Sequence, residues 1–166
     1  MKRVRDFMNK EVIFFTPNDS IFEVARIFSE RGISGAPVVE RNKVIGIVSE
    51  SDIVRFMCTR IGKSFSKIPT LSTLLFSVII ENIEVKKELE KISKINVKDV
   101  MSRDVISISP EKSIFDAASL MEKKDVNRLP VIEDGRLVGI VTRADLIRAL
   151  ISEEKNEKSK CENSNY

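Results

Sequence analysis

The segment GIVSESD at residues 46–52 returns as GIVTRAD at residues 139–145, which is an offset of 93 positions. At the same offset, residues 4–55 align with residues 97–148 without a gap, and 18 of the 52 pairs are identical. A fixed offset over this length indicates an internal duplication. Because two copies of roughly 50 residues are each too small to be stable alone, we expect them to share one core.

Each copy begins with a short β-rich run that stops before a proline. In the first copy the run is Val12–Phe15, followed by Thr16 and Pro17, and in the second copy it is Val105–Ile108. The residue before a proline is held extended, so each run predicts a strand that ends there.

An amphipathic helix is predicted directly after each of these strands. Ser20 and Ser113 each open a capping box, with an acidic residue three positions later. The apolar residues that follow have helical spacing, namely Ile21, Val24, Ala25 and Phe28, then Ile114, Ala117, Ala118 and Met121. Gly32 can end the first helix in a left-handed conformation, and the second copy has Asp125 at that position.

Two further strands and a second helix complete each copy. In the first copy the strands are Pro37–Glu40 and Val44–Val48, joined by a tight turn, and their equivalents surround Asp134-Gly135. The last helix begins at Ser49 in the first copy and at Thr142 in the second. The predicted order is strand, helix, strand, strand, helix, twice, which is an α/β (α+β) fold.

The composition restricts the chemistry that the chain can perform. The 166 residues include 28 Lys and Arg, 25 Asp and Glu, and no His, which removes most general-base and zinc-ligand schemes. Cys58 and Cys161 lie far apart in the sequence and give neither a disulfide framework nor a metal motif. The small, interspersed net charge of +3 argues against nucleic acid or a membrane surface as a partner. We expect a protein that is not an enzyme and that requires no cofactor or metal.

The sequence also predicts a soluble, cytoplasmic protein. Its charged N-terminus leads into no apolar core of signal-peptide length. The longest apolar stretch, Leu71–Ile80, contains hydroxyl residues and is shorter than the roughly 18 residues of a membrane span.

The repeats divide the chain into four predicted parts. Residues 1–60 are the first repeat, residues 61–96 a helical linker or insertion, residues 97–152 the second repeat, and residues 153–166 a polar tail. The linker has more apolar residues than a plain connection needs. It is therefore either a partner-binding or gating element or a segment that packs on the repeats.

The two copies resemble the cystathionine-β-synthase (CBS) domain, a family that occurs as tandem pairs. The resemblance rests on the patterns V-x-D-x-M, x-P-V-V/I and G-I-V-S/T-x-x-D, which occur in this order in both copies and together cover about two thirds of the chain. It implies that the repeats pack through their short sheets about a pseudo-two-fold axis. It also implies two clefts, which in many members bind adenosine-containing ligands.

The turn into the last helix of each copy is the predicted binding site. At Ser49, a hydroxyl, unpaired backbone N–H groups and the positive end of a helix dipole converge, which favours an anion. Asp52 can accept two hydrogen bonds from the diol of a ribose. Thr142 and Asp145 repeat the arrangement. Both pairs also fit a simple capping box, and the two roles are compatible.

The resemblance adds further residues to the predicted clefts. They are Thr16, Ser34, Gly35 and Ala36 from the first copy and Ser109, Asn127, Arg128 and Leu129 from the second. Arg128 is the strong phosphate ligand among them, whereas the first copy has Gly35 at that position. The alternative for Arg128 is a solvated or salt-bridged surface residue.

Two classes of function follow from these observations. The first is a regulatory module that senses AMP, ADP or ATP, and S-adenosylmethionine or a related thioether would also fit such a cleft. The second is a protein or nucleic-acid interaction module with vestigial clefts. We also expect a regulated protein partner and a homodimer, because the last helices carry apolar residues that one chain leaves uncovered, namely Ile53, Phe56, Met57, Ile147 and Leu150.

Overall fold

The structure, a computed structural model, describes residues 2–61 and 94–162 of the chain. The helices and strands of these residues are, in order, α1 (Val4–Phe7), α2 (Ile21–Arg31), β1 (Gly35–Glu40), β2 (Lys43–Ser49), α3 (Glu50–Ile61), α4 (Val97–Val100), α5 (Ile114–Lys124), β3 (Arg128–Glu133), β4 (Arg136–Thr142) and α6 (Arg143–Glu162). The predicted α/β (α+β) class is confirmed. The predicted linker lies almost wholly outside the described residues.

The ends of α2 and α5 follow the local signals of the sequence. At α5 the predicted capping box forms, and the Ser113 hydroxyl accepts the N–H of Asp116. At α2 the Ser20 hydroxyl caps the helix by accepting the N–H of Phe22, but the predicted box with Glu23 does not form, because the Glu23 carboxylate pairs with Arg26. Gly32 ends α2 with a φ of 62°. Asp125 ends α5 in the same left-handed conformation, with a φ of 49°. An aspartate can therefore fill the position that glycine fills in the first repeat.

Each repeat contains one two-stranded sheet, β1 with β2 and β3 with β4. In the second sheet the strands are antiparallel, with Arg128 opposite Thr142 at one end and Glu133 opposite Arg136 at the other. Two residues with positive φ form each turn, which is the geometry that matches the twist of a hairpin. They are Arg41 and Asn42 in the first repeat and Asp134 and Gly135 in the second.

The first predicted strand of each repeat is much shorter than expected. Of Val12–Phe15 only Phe15 pairs, in a parallel bridge to Val38, and of Val105–Ile108 only Ile108 pairs, in a bridge to Val131. The preceding residues have no ladder partner in the described part of the chain. The prediction of full strands was therefore wrong, although each run does reach the sheet at its last residue.

The folded chain separates into two compact units whose boundaries differ from those of the sequence repeats. The first-repeat unit contains Phe14–Glu40 and Ile45–Asp104. The second-repeat unit contains the chain from Val105 onward, together with Arg41–Val44 and the residues up to Ile13. The short helix α1 thus belongs to the second-repeat unit, and α4 belongs to the first-repeat unit.

Backbone hydrogen bonds hold each short helix in its unit. In the second-repeat unit, Asn9 and Ile140 exchange two hydrogen bonds of 2.9 Å. In the first-repeat unit, Ser102 and Ile47 do the same, also at 2.9 Å. Since both pairs join the second residue after a short helix to the second strand of a sheet, the two units are built alike.

The core of the second-repeat unit is aliphatic. Its buried residues are Val4, Ile108, Ile114, Ala117, Met121, Leu129, Val131, Val141, Leu146 and Ala149. In the first-repeat unit Phe15 and Phe28 are buried and pack edge to face, with ring centroids 5.8 Å apart. Three of the four residues predicted on each apolar face are buried, namely Ile21, Val24 and Phe28 on α2 and Ile114, Ala117 and Met121 on α5. The prediction was wrong for Ala25 and Ala118, which are exposed because they lie at the margin of the buried face.

In the part of the chain that the structure describes, no helix is both long enough and apolar enough to cross a membrane.

Candidate functional site

Three chain segments that carry predicted site residues adjoin the first-repeat sheet. Phe15, which precedes Thr16, donates its N–H to the Pro37 carbonyl at 3.0 Å. Glu50, which follows Ser49, donates its N–H to the Ser34 carbonyl at 3.1 Å. The segment 34–36 and the turn at Ser49 are therefore neighbours, and we call the place where they meet a corner. Phe15 pairs in parallel with Val38, so Thr16 follows toward the other end of β1.

The second repeat brings together the equivalent segments. Ile108, which precedes Ser109, donates its N–H to the Pro130 carbonyl at 3.0 Å, and Arg143 donates its N–H to the Asn127 carbonyl at 3.2 Å. Arg128 lies opposite Thr142 in the β3–β4 ladder. The same corner is thus built twice, once in each unit.

A buried aspartate occupies the centre of each corner. Asp52 and Asp145 are each 8% exposed, although both stand near the start of a helix whose outer face is open to solvent. Burial of a carboxylate is costly unless hydrogen bonds or an opposite charge compensate for it. Among the described residues, every buried side-chain nitrogen or oxygen has a hydrogen-bond partner.

In the first repeat, Ser49 supplies the partners of the Asp52 carboxylate. The Ser49 N–H and hydroxyl both donate to Asp52 Oδ2, at 2.9 and 2.6 Å. The Asp52 N–H lies 3.3 Å from the Ser49 hydroxyl oxygen, which closes a capping box at the start of α3.

In the second repeat, Thr142 and Asp145 have the same geometry. The Thr142 N–H and hydroxyl donate to Asp145 Oδ2 at 2.7 and 2.6 Å, and the Asp145 N–H points to the hydroxyl oxygen at 3.4 Å. The capping alternative left open by the sequence is therefore present in both copies. In each copy the capping box uses Oδ2 of the carboxylate, and Oδ1 takes no part in it.

An arginine one turn further along each helix contacts that second oxygen. Arg148 Nη2 forms an ion pair with Asp145 Oδ1. Arg55 Nη1 lies 3.5 Å from Asp52 Oδ1. Sequence reasoning missed both arginines, although the identical i+3 position in the two repeats was a signal that could have found them.

The hydroxyls of the first strand ends have local partners. The Thr16 hydroxyl donates to the Asp19 carboxylate at 2.8 Å, and the Thr16 N–H donates to the same group at 2.6 Å. The Ser109 hydroxyl oxygen accepts the Glu111 N–H at 3.3 Å. Both residues are exposed.

The segments before β1 and β3 contain both exposed and buried residues. Ser34 and Asn127 are exposed, Arg128 is half-buried, and Gly35 is buried. The side chains of Ala36 and Leu129 belong to the core, since they are almost fully buried. These last two residues can therefore offer a ligand only their main-chain groups.

No group of three or more His, Cys, Asp or Glu side chains suited to a metal ion occurs within residues 2–61 and 94–162.

Comparison with known proteins gives a family and close relatives. Residues 4–58 and 97–152 match the CBS domain. Uncharacterized protein MJ1426 of Methanocaldococcus jannaschii is 42% identical over 153 residues, which cover 89% of this chain and 90% of that protein. Several other curated relatives are longer, and the chain spans less than half of their length.

Solved structures share the fold. CBSX2 from Arabidopsis thaliana, determined in complex with AMP, matches with a TM-score of 0.69 at 24% identity, over 93% of this chain and 99% of that one. The CBS domain pair of protein MJ0100, in complex with methylthioadenosine and S-adenosyl-L-methionine, matches with a TM-score of 0.63 at 24% identity, over 92% of this chain and 98% of that one. These likenesses extend over both repeats.

Proposed function

This chain belongs to the CBS domain family as a tandem pair, and we propose that it is a regulatory module that binds an adenosine-containing ligand. The ligand sites are the two corners at Ser49–Asp52 and Thr142–Asp145. Binding changes the packing or stability of the module, and a partner protein senses that change. The module itself needs no catalytic group and no resident cofactor.

One observation carries the proposal, namely the buried carboxylate that stands at a helix start in both units. A capping box alone does not require burial, because Asp116 forms the same Ser-x-x-Asp box on the open surface of α5. Asp52 and Asp145 are instead buried, at turns that bond to the main chain before β1 and β3. Such a site suits a ribose diol held by the carboxylate. The anion that the sequence predicted at the helix start is not favoured, because the N–H groups of Ser49, Glu50 and Asp52 have partners within the protein.

The ligands of structural relatives support an adenosine compound. AMP was bound to CBSX2, and methylthioadenosine with S-adenosyl-L-methionine was bound to the MJ0100 pair. We propose AMP, ADP or ATP as the ligand of this chain, with S-adenosylmethionine or a related thioether as the second candidate. A ribose and an adenine are common to all of these molecules.

Calorimetric titration with AMP tests the proposal. Asp52→Ala and Asp145→Ala should each abolish or weaken one of two binding events. The control is Asp116→Ala, which removes the carboxylate of the equivalent capping box on α5 and should leave both binding events unchanged. In the wild type, AMP at millimolar concentration should raise the melting temperature by mass action. 2′-Deoxy-AMP should bind more weakly, because it cannot present both hydroxyls to the carboxylate.

The absence of both heat and thermal shift with AMP, ADP, ATP and S-adenosylmethionine would overturn the proposal. It would favour an interaction module with vestigial clefts. Native mass spectrometry of freshly purified protein gives an independent reading, since a co-purifying adenosine compound is identified by its mass.

Arg128 is proposed to contact the ligand phosphate. A hydrogen bond from a guanidinium to phosphate contributes about 1.5–3 kcal/mol, so Arg128→Ala should weaken AMP roughly tenfold or more and leave adenosine nearly unaffected. Equal losses for AMP and adenosine would show that Arg128 maintains the shape of the site and does not bind phosphate.

We also propose that the chain acts as a homodimer. The outer face of α6, which carries the exposed residues Ile147 and Leu150, supplies apolar surface for a second copy, and a closed two-fold pair is the commonest way to cover such surface.

A further inference from the structure

Each site aspartate has only one carboxylate oxygen left for a ligand. A carboxylate accepts about four hydrogen bonds, two on each oxygen. In both units the Ser or Thr of the box places an N–H and an O–H on the same atom, Oδ2, at 2.6–2.9 Å. A ribose diol that also needs two acceptor positions must therefore use Oδ1.

That oxygen already has a cationic neighbour. Arg148 contacts Asp145 Oδ1, and Arg55 lies 3.5 Å from Asp52 Oδ1. The two arginine side chains are 74% and 73% exposed, for Arg55 and Arg148 respectively, while their carboxylate partners are 9% and 10% exposed. The guanidinium therefore approaches the buried carboxylate from the solvent side.

We propose that Arg55 and Arg148 compete with the ligand ribose for Asp52 Oδ1 and Asp145 Oδ1, and so set the affinity of each site. This inference rests on the proposed function. In the unliganded protein the guanidinium compensates the buried charge, and on binding the diol takes its place while the arginine turns out into solvent. The exposed guanidinium can make this movement without rearrangement of the core.

Each arginine forms an ion pair with the aspartate of its own repeat, so removal of either one should raise the affinity of its own site. Ion pairs with an exposed partner are weak, so we expect a gain of about threefold to fivefold in affinity and not of orders of magnitude.

Adenosine is the appropriate probe, because it has the ribose diol but no charge that an arginine could attract directly. Arg148→Met and Arg55→Met keep most of the aliphatic stem and remove the guanidinium. Arg26→Met is the matched control, since Arg26 is exposed and forms an i, i+3 ion pair with Glu23 on α2, away from either aspartate. Titrations are done at about 20 mM and about 300 mM NaCl, on either side of physiological ionic strength.

The expected result has two parts. Arg148→Met binds adenosine about threefold to fivefold more tightly than the wild type at low salt. Salt strengthens adenosine binding by the wild type and by Arg26→Met, because it screens the competing ion pair, and this dependence is lost in the double variant Arg55→Met/Arg148→Met.

Two results would overturn the inference and are distinguishable. If the wild type binds adenosine but the arginine variants have unchanged affinity and an unchanged salt dependence, or bind more weakly, the arginines do not compete and the proposed function stands. If the wild type binds neither adenosine nor AMP, the proposed function fails and the competition fails with it.

Discussion

In each unit, a methionine side chain packs directly against a glycine, in the space that a Cβ atom would need. Met101 Sδ would lie 2.7 Å from a Cβ added at Gly46, and Met8 Sδ would lie 2.6 Å from a Cβ added at Gly139. These residues explain the motifs V-x-D-x-M and G-I-V-S/T-x-x-D together, because the methionine of one motif packs on the glycine of the other. The contact joins each short helix to the second strand of its sheet.

Alanine at these glycines should destabilise the protein. In Gly46→Ala the new methyl would also lie 2.9 Å from the backbone oxygen of Ser102, which cannot move without breaking the bridge to Ile47. In Gly139→Ala the nearest backbone oxygen, that of Asn9, is 3.1 Å away. We expect a loss of about 1–3 kcal/mol in the free energy of unfolding, larger for Gly46→Ala, measured by urea denaturation.

The control for this series is Gly32→Ala, where the added methyl meets nothing within 4 Å but the backbone φ is 62°. It should cost only about 1 kcal/mol, through the left-handed conformation. Equal losses for Gly32→Ala and Gly46→Ala would show that steric contact with Met101 and Ser102 is unimportant.

At the residue scale, the sequence identified the residue pairs of the site. It did not identify the burial of the carboxylates or their ion pairs. The duplicated Ser49–Asp52 and Thr142–Asp145 pairs stood out because hydroxyl and carboxylate types at a strand-to-helix turn are chemically distinctive. The arginine beside each carboxylate lies three residues further along the same helix and could have been found from the repeat. Burial of the carboxylates, however, depends on how separated segments of the chain meet. No local pattern specifies that meeting.

Among the elements, α5 offers a test of helix capping through its pH dependence. The Ser113 N–H, and next the Ser113 hydroxyl, hold the pKa of Asp116 below its ordinary value by donating hydrogen bonds to the carboxylate. A lowered folded-state pKa stabilises the fold above the unfolded pKa of about 4, and this contribution is lost as the pH falls through the folded value.

Asp116→Asn should therefore lower the melting temperature at neutral pH, and the difference from the wild type should shrink as the pH falls below about 4. Thermal unfolding followed by circular dichroism between about pH 7 and about pH 3 measures it. Ser113→Ala keeps the backbone N–H, which is the main cause of the shift, and should retain most of the pH dependence. A difference between wild type and Asp116→Asn that does not change with pH would contradict the capping assignment.

Elements with local signals were predicted well, and elements that depend on distant partners were not. The starts of α2 and α5 follow from Ser20 and Ser113, because a cap is decided within four residues. By contrast, the run Val12–Phe15 has the composition of a strand but finds a partner only at Phe15, since pairing depends on the neighbouring chain. The helices α1 and α4 have only four residues each and no periodicity that a sequence could reveal.

At the scale of the whole molecule, the duplication and the folded units do not coincide. α1 opens the first repeat in sequence but is buried through Val4 in the core of the second-repeat unit, and α4 opens the second repeat but is buried through Val97 in the first-repeat unit. Each unit therefore requires a segment from the other half of the chain. We infer that the two repeats fold and unfold together, because neither half of the chain contains a complete unit.

Assembly of two chains is the remaining property at this scale, and the structure changes the set of residues expected to support it. Ile53 is buried in its own unit and cannot belong to an interface, while Phe56 and Met57 are half-buried. Ile147 and Leu150 on α6 are 59% and 46% exposed, and Ile151 beside them is 52% exposed. The opposite side of α6 packs in the core through Leu146 and Ala149, so these three residues form an apolar stripe that its own unit leaves open.

We expect a homodimer that buries this stripe against a second copy, since the same apolar surface on both partners suits a closed two-fold pair. Light scattering at tens of micromolar protein should give twice the 18.8 kDa mass of the chain. Ile147→Lys/Leu150→Lys should give the mass of one chain with little loss of thermal stability, because both side chains lie outside the core.

Phe115→Lys, a change at an exposed apolar residue of α5, is the matched control and should remain a dimer. A wild-type mass near that of one chain would exclude the homodimer, and a dimer that survives the double substitution would place its interface away from α6.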